Sequence, residues 1–165
     1  MGLLDAEDDY IQLSFTMNQV PTKPTPRPQR IDLPHSFHNE TQNSRVCLFV
    51  KDPARDFKDQ IMDMNVPTLA KVIGYDKLKR EFKQFKDKRS LLKDYDAFLA
   101  DLRIYKMLPE LLGKGFYQNK KYPCPIKIHN FEGDALKDQI NSACEATTFM
   151  MGNGPNYSIK VGKTF

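Results

Sequence analysis

A chain of 165 residues has room for one domain or two small ones, and 40% hydrophobic with 28% charged residues suits a folded globular protein rather than a disordered one. Lys+Arg 25 against Asp+Glu 21 leaves a net charge of +4, and the longest continuous apolar run, Val46 to Val50, is too short to cross a bilayer. The acidic start (Asp5, Glu7, Asp8, Asp9) lacks the basic region of a secretory signal, and three cysteines (Cys47, Cys124, Cys144) with no C-x-x-C make neither a disulfide framework nor a zinc ribbon. Secreted, membrane and disulfide-stapled classes are set aside, and buried, reduced thiols of an intracellular protein are expected.

Tyr10 to Met17 alternates Ile11, Leu13, Phe15 and Met17 with polar residues, which predicts a half-buried strand. Pro21 to Pro34 holds five of the eleven prolines and reads as a turn or linker, with a short return strand over Arg30 to Leu33. VCLFV (46–50) has the look of a strand covered on both faces. Pro53 opens a predicted helix through Met64 with Asp52 as its N-cap, and Val72 and Ile73 end a short strand before Gly74.

From Asp76, the spacing of Leu78, Phe82 and Phe85 predicts one amphipathic helix to about Lys86, these three packed inward. Asp87 caps a second helix with Leu91 and Leu92. DAFLAD (96–101) is a further buried strand, Asp101 caps Leu102 to Met107, and Pro109 restarts that helix as far as Gly113. Cys124 to Ile128 is a short strand, followed by a helix over Asp134 to Ala146, a turn at Gly152-Asn153-Gly154 and a strand over Tyr157 to Val161. Alternating strand and helix from 46 to 128 predicts a three-layer α/β unit with a largely parallel sheet. The flanks, 1–44 and 129–165, are too small for separate cores and are expected to pair with each other.

Charge is unevenly spread. Lys77 to Lys93 carries eight basic against two acidic residues, +6, which leaves −2 on the rest of the chain; Arg103 to Lys127 carries +5. Such clustering fits a polyanion partner or a solvated helix face. Phe116, Tyr117, Lys120, Lys121 and Tyr122 interleave aromatic with basic residues, a pattern that can stack on bases and pair with phosphates; the aromatics are expected in the core and the lysines outside. The loop after VCLFV has no glycine, so a dinucleotide-binding turn fails, and Gly162-Lys163-Thr164 lacks the earlier glycine of a P-loop. His35-x-x-His38 lies beside Pro34 with no cysteine nearby and is not read as a metal site. No nucleophile motif is present, so no catalysis, metal or cofactor is expected.

IDLPHSF (31–37), VCLFVKD (46–52), the basic helix, YDAFLAD (95–101) and LPELLGKGFYQNKKYP (108–123) follow one another as in ribosomal L-one-domain proteins. The chain resembles the eukaryotic nucleolar ribosome-biogenesis branch of that family: GKGFYQNKKYP stands where the ribosomal protein has a glycine-proline-rich turn. The resemblance covers roughly residues 10–165. It implies an α/β fold in which both chain ends form a split RNA-binding domain (1–44 and 129–165) and a Rossmann-like domain (45–128) is inserted through hinges near Asn39 to Arg45 and Pro123 to Asn130.

It also implies non-catalytic binding of ribosomal or pre-ribosomal RNA in ribosome biogenesis and rRNA processing, with pre-ribosomal proteins as further partners and the nucleolus as location. The alternatives are a structural constituent of the large ribosomal subunit on the cytoplasmic ribosome, and a protein-interaction module within a pre-ribosomal particle. Family positions facing RNA correspond to Ser14, Phe15 and Thr16, and to Lys160, Gly162 and Lys163; Ser14 and Thr16 stand where ribosomal members tend to be basic. Lys120 and Lys121 are added as RNA contacts, and Lys79, Arg80, Lys83 and Lys86 as a further basic contact face. The family's N-terminal helix and its C-terminal threonine-methionine-glycine motif have no counterpart, so the chain is expected to be a fragment or truncated paralogue, or to bind through other regions.

Overall fold

The computed structural model describes residues 10–23, 25–36, 43–129 and 132–163. The elements run β1 (Tyr10–Thr16), β2 (Thr25–Ile31), β3 (Val46–Val50), α1 (Arg55–Asp63), β4 (Leu69–Gly74), α2 (Tyr75–Glu81), α3 (Phe85–Asp94) and β5 (Ala97–Asp101). A 3-10 turn (Tyr105–Met107) precedes α4 (Leu108–Leu112), α5 (Lys114–Gln118), β6 (Cys124–Ile126), α6 (Gly133–Glu145), β7 (Thr147–Met151) and β8 (Asn156–Lys163).

A four-stranded, all-parallel sheet in the order β4-β3-β5-β6 forms the centre. Its strands follow the period of two. Val46, Leu48, Val50 and Leu99 join one buried cluster with Ile61 of α1 and with Leu136, Ile140, Ala143 and Cys144 of α6. Cys47, Phe49, Phe98 and Ala100 join another with Leu78, Leu91, Leu108, Leu112 and Phe116 of the helices on the far side. Helices thus cover both faces of the sheet, which is why VCLFV is apolar throughout and wholly buried. The chain flanks pair with each other in two antiparallel ribbons, β1 with β8 and β2 with β7.

The expected helix from Asp76 to Lys86 is broken. Phe82 leaves helical geometry and Gln84 is extended, so α2 ends at Glu81 and α3 begins at Phe85. An unbroken helix from residue 75 to 94 would be about 30 Å long, whereas five-residue strands span only about 17 Å; the chain must turn back to re-enter the sheet. As a result Phe85 is 79% exposed instead of packed inward, while Leu78 is buried and Phe82 half-buried as expected. Asp52 is not the N-cap of α1, which begins at Arg55 behind Ala54. Its carboxylate instead accepts the Asp76 N–H at 2.6 Å, tying the end of β3 to the start of α2. The approach is so close that a Cβ on Gly74 would lie 2.6 Å from Asp52 Oδ1 and 2.8 Å from the Ala54 Cβ. Asp87 lies in the first turn of α3 and not at its cap.

Only the 3-10 turn forms in 102–107, with the Asp101 carboxylate turned to Arg103. Within the proline-rich segment Thr25–Ile31 forms a strand, β2, where a turn or linker was expected. Pro26 and Pro28 have no N–H for the ladder, and the register with β7 breaks between Thr25 and Gln29 before regular pairing over Gln29 to Ile31. α5 and β7 were not foreseen. Phe37, His38 and the residues of the first expected hinge up to 42 lie outside the described residues, as does Asn130 of the second.

All three thiols are free and buried. Burial pushes Cys47 and Cys124 up to about 12 and Cys144 to about 11; Lys71 opposes this at Cys47. The folded state therefore favours neutral thiols, and their contribution is intact below the ordinary thiol value and lost as pH rises from about 9 toward 12. The urea midpoint is expected to fall between pH 8 and pH 10.5, and to fall less when all three are replaced by alanine. Equal slopes in both proteins would remove the thiols as the cause.

Candidate nucleic-acid interface

The β1–β8 ribbon carries most of the positions that the resemblance singles out. Cα partners Gln12↔Lys160, Ser14↔Ser158 and Thr16↔Asn156 place these six side chains on one face, since paired residues share a side and neighbours alternate. The Thr16 hydroxyl donates to Asn156 Oδ1 at 2.9 Å. Phe15 belongs to the other face, its ring 5.7 Å from both Phe149 and Tyr157, so it is engaged in packing against β7 and β8. Gly162 pairs with Ile11, and a Cβ there would meet only Ile11 at ordinary contact distance. Lys163 pairs with Tyr10 through its backbone; its side chain lies outside the described residues.

Lys120 and Lys121, adjacent in sequence, go separate ways. Lys120, with φ +53°, extends from the end of α5 to hydrogen-bond the Ser158 hydroxyl of β8. Lys160 lies two residues further along β8, its Nζ 4.0 Å from the centroid of the Tyr10 ring. Tyr10, Ser158, Lys120 and Lys160 line one narrow cleft of about 50 Å³ where the ribbon meets the N-terminal ends of β5 and β6. Asp96 lines it too, its carboxylate accepting the Arg45 N–H at 2.8 Å. Lys121 lines the same cleft, but its Nζ is turned inward and donates to the Leu92 and Tyr95 carbonyls, each at 3.0 Å. That is a cation on the C-terminal end of α3, where it satisfies carbonyls that the helix leaves without a donor.

The remaining candidates, Lys79, Arg80, Lys83 and Lys86, are exposed on α2, the turn after it and the first turn of α3, and do not line this cleft. Of the residues around the cleft, Tyr10 and Ser158 carried no sequence signal: a tyrosine opening a strand and a serine within one are ordinary, and only the pairing of chain ends brings them to Lys120.

Lys120 and Lys160 make the cleft basic, and Tyr10 and Ser158 add hydroxyl groups. Among the described residues no group of three or more His, Cys, Asp or Glu could hold a metal ion. Asp101, fully buried at the C-terminal end of β5, stands where parallel α/β sheets often carry functional groups. Both its oxygens are taken: Oδ1 by the Arg103 N–H at 3.0 Å, Oδ2 by Arg103 Nε at 2.8 Å and Nη2 at 2.6 Å.

A Schizosaccharomyces pombe protein named for ribosome biogenesis is 40% identical over 121 residues, 73% of this chain and 32% of its own length. Mouse ribosomal L1 domain-containing protein 1 is 32% identical over 143 residues, 82% of this chain and 30% of its own. The Saccharomyces cerevisiae ribosome biogenesis protein UTP30 is 30% identical over 132 residues, 71% of this chain and 48% of its own. The chain thus spans between about a third and about half the length of these relatives. Residues 5–165 match the Ribosomal protein L1p/L10e family, and the chain belongs to that family.

Proposed function

We propose that the chain is a non-catalytic RNA-binding protein of ribosome biogenesis, located in the nucleolus, which contacts pre-ribosomal RNA during rRNA processing beside pre-ribosomal proteins. Its family, and relatives named for ribosome biogenesis, support the process. The observation that carries the RNA reading is the convergence of Lys120 and Lys160, forty positions apart, on one cleft beside the polar face of β1 and β8. Two lysines, Ser14 and Thr16 there supply charge and hydroxyl donors for phosphates and sugars, contacts that position RNA without reading its sequence.

In this reading residues 1–44 and 129–165 form the RNA-binding unit and 45–128 an inserted Rossmann-like unit. The pairing of both chain flanks supports that division, while α6 packs its apolar face into the sheet's own core cluster and couples the two. RNA would compete with Ser158 for the Lys120 ammonium.

Lys120→Ala with Lys160→Ala tests the reading. Loss of two phosphate contacts is expected to weaken RNA binding and to flatten the slope of log affinity against log salt by about 1.4 on single strands. Lys121→Ala is the internal control: it should lower stability by about 1 kcal/mol through the exposed end of α3 while leaving the salt slope in place. An unchanged slope in the double variant, measured by fluorescence anisotropy across a salt series, would remove the cleft from the RNA surface.

A further inference from the structure

At 79% exposure, Phe85 is the most open large apolar side chain among the described residues. It sits at the first position of α3, and the residues around it are basic: Lys79, Arg80, Lys83, Lys86 and Arg89 are all exposed. Lys88 Nζ lies 5.9 Å from its ring centroid. Along α3, Phe85, Arg89 and Lys93 recur every four residues and so share one stripe of the helix. Two acidic residues oppose the group: Asp87 in the first turn of α3, and Glu81, 3.6 Å from Lys77 and 3.8 Å from Arg80. Among the described residues no carboxylate other than Glu81 forms an ion pair with these cations.

The surface is separate from the cleft. The C-terminal end of α3 is where Lys121 docks, next to Lys120; Phe85 opens the other end, about 14 Å further along the helix axis. Lysines alone would make a soluble face. A phenylalanine held open among them is not explained by solubility, because an exposed ring is better covered. Ring and cations together are the elements of single-strand recognition, in which a base stacks on an aromatic face and neighbouring phosphates meet Lys and Arg. The apolar part is one ring on a convex corner between two helices. That suits one unstacked base better than an acidic protein segment, which would need a groove for its own apolar side chains.

We propose that the α2–α3 corner is a second RNA contact, specific for single strands, with Phe85 as the stacking platform and Lys83, Lys86 and Arg89 on phosphates. It rests on the RNA reading above, extends it to a surface that the cleft does not reach, and gives the chain two grips on one transcript.

The test uses the whole chain, a fluorescent oligouridine and an RNA duplex of equal length. Phe85→Ala is expected to bind oligouridine about tenfold more weakly and the duplex unchanged, with Phe85→Trp restoring binding. Because the ring is exposed, the variant should keep its circular dichroism spectrum and urea midpoint. Oligouridine binding equal to that of the unaltered chain, an equal loss on the duplex, or failure of tryptophan to restore it overturns the proposal. So does a result in which Phe85→Ala loses only binding to polyglutamate, which would make the corner a protein contact. If Lys120→Ala with Lys160→Ala loses oligouridine and Phe85→Ala does not, the cleft stands and the corner falls. If the unaltered chain binds neither RNA, both fall.

Discussion

Phe98→Ala is expected to cost about 4 kcal/mol of folding stability, read as a drop in urea midpoint at unchanged slope. Phe98, the second residue of β5, is buried and touches three rings: Phe49 stacked at 5.7 Å, Tyr95 at 6.1 Å and Phe116 edge-on at 4.9 Å. Alanine would leave a hole between the sheet and α5 that close-packed neighbours fill only in part. The effect has a functional side. Phe116 anchors α5, and the chain leaves α5 through Asn119 to Lys120, the lysine that bridges to Ser158. Under conditions where the variant is still folded, its RNA binding should weaken as well, because Lys120 is held less well. A loss below about 1 kcal/mol would mean that this aromatic cluster is not the centre of the core.

Asp101→Ala is expected to cost about 3 kcal/mol while leaving RNA affinity unchanged. The carboxylate is fully buried and accepts the Arg103 N–H and guanidinium, and the next residue's N–H, Leu102, donates to Ile126 of β6 at 2.9 Å. Removing it orphans the Arg103 amide at a point where β5 and β6 are joined. Asp101→Asn keeps one acceptor and should fall between the two. The double readout separates structure from function: the site lies at the C-terminal end of β5, and the lysine cleft lies at its beginning. Loss of RNA binding without loss of stability would contradict the structural role given to this carboxylate.

Much of the parallel core was legible in the sequence because each strand there is buried on both faces and advertises it. VCLFV and AFLAD are short apolar runs between breakers, and the helix over Gly133–Glu145 shows Leu136, Ile140, Ala143 and Cys144 at helical spacing. What failed was decided by tertiary demands. Phe85 fits the apolar stripe of a helix beginning at Asp76, but the chain has to turn back within the length of a strand, and the break moves Phe85 to the outside. Prolines argued against a strand at 25–31, yet an edge ribbon tolerates them where the ladder is already interrupted. The Ile11 and Leu13 alternation identified β1 correctly but not its burial, since the two are 52% and 57% exposed.

The geometry of the candidate interface was legible only in part. Basic clustering singled out Lys120, Lys121 and the α2–α3 face, but sequence cannot separate a lysine that reaches across to another strand from its neighbour that caps a helix. That distinction between Lys120 and Lys121 exists only once α3, α5 and β8 have been brought together.

The central claim is that this chain works on pre-ribosomal RNA during assembly and not as a part of finished ribosomes. It is tested most directly by sedimenting the tagged protein from nuclear and cytoplasmic extracts through a sucrose gradient. Co-migration with pre-ribosomal particles, lost on RNase treatment and absent from translating ribosomes, is the predicted result. Persistence in mature large subunits and polysomes would contradict it and make the chain a ribosomal constituent.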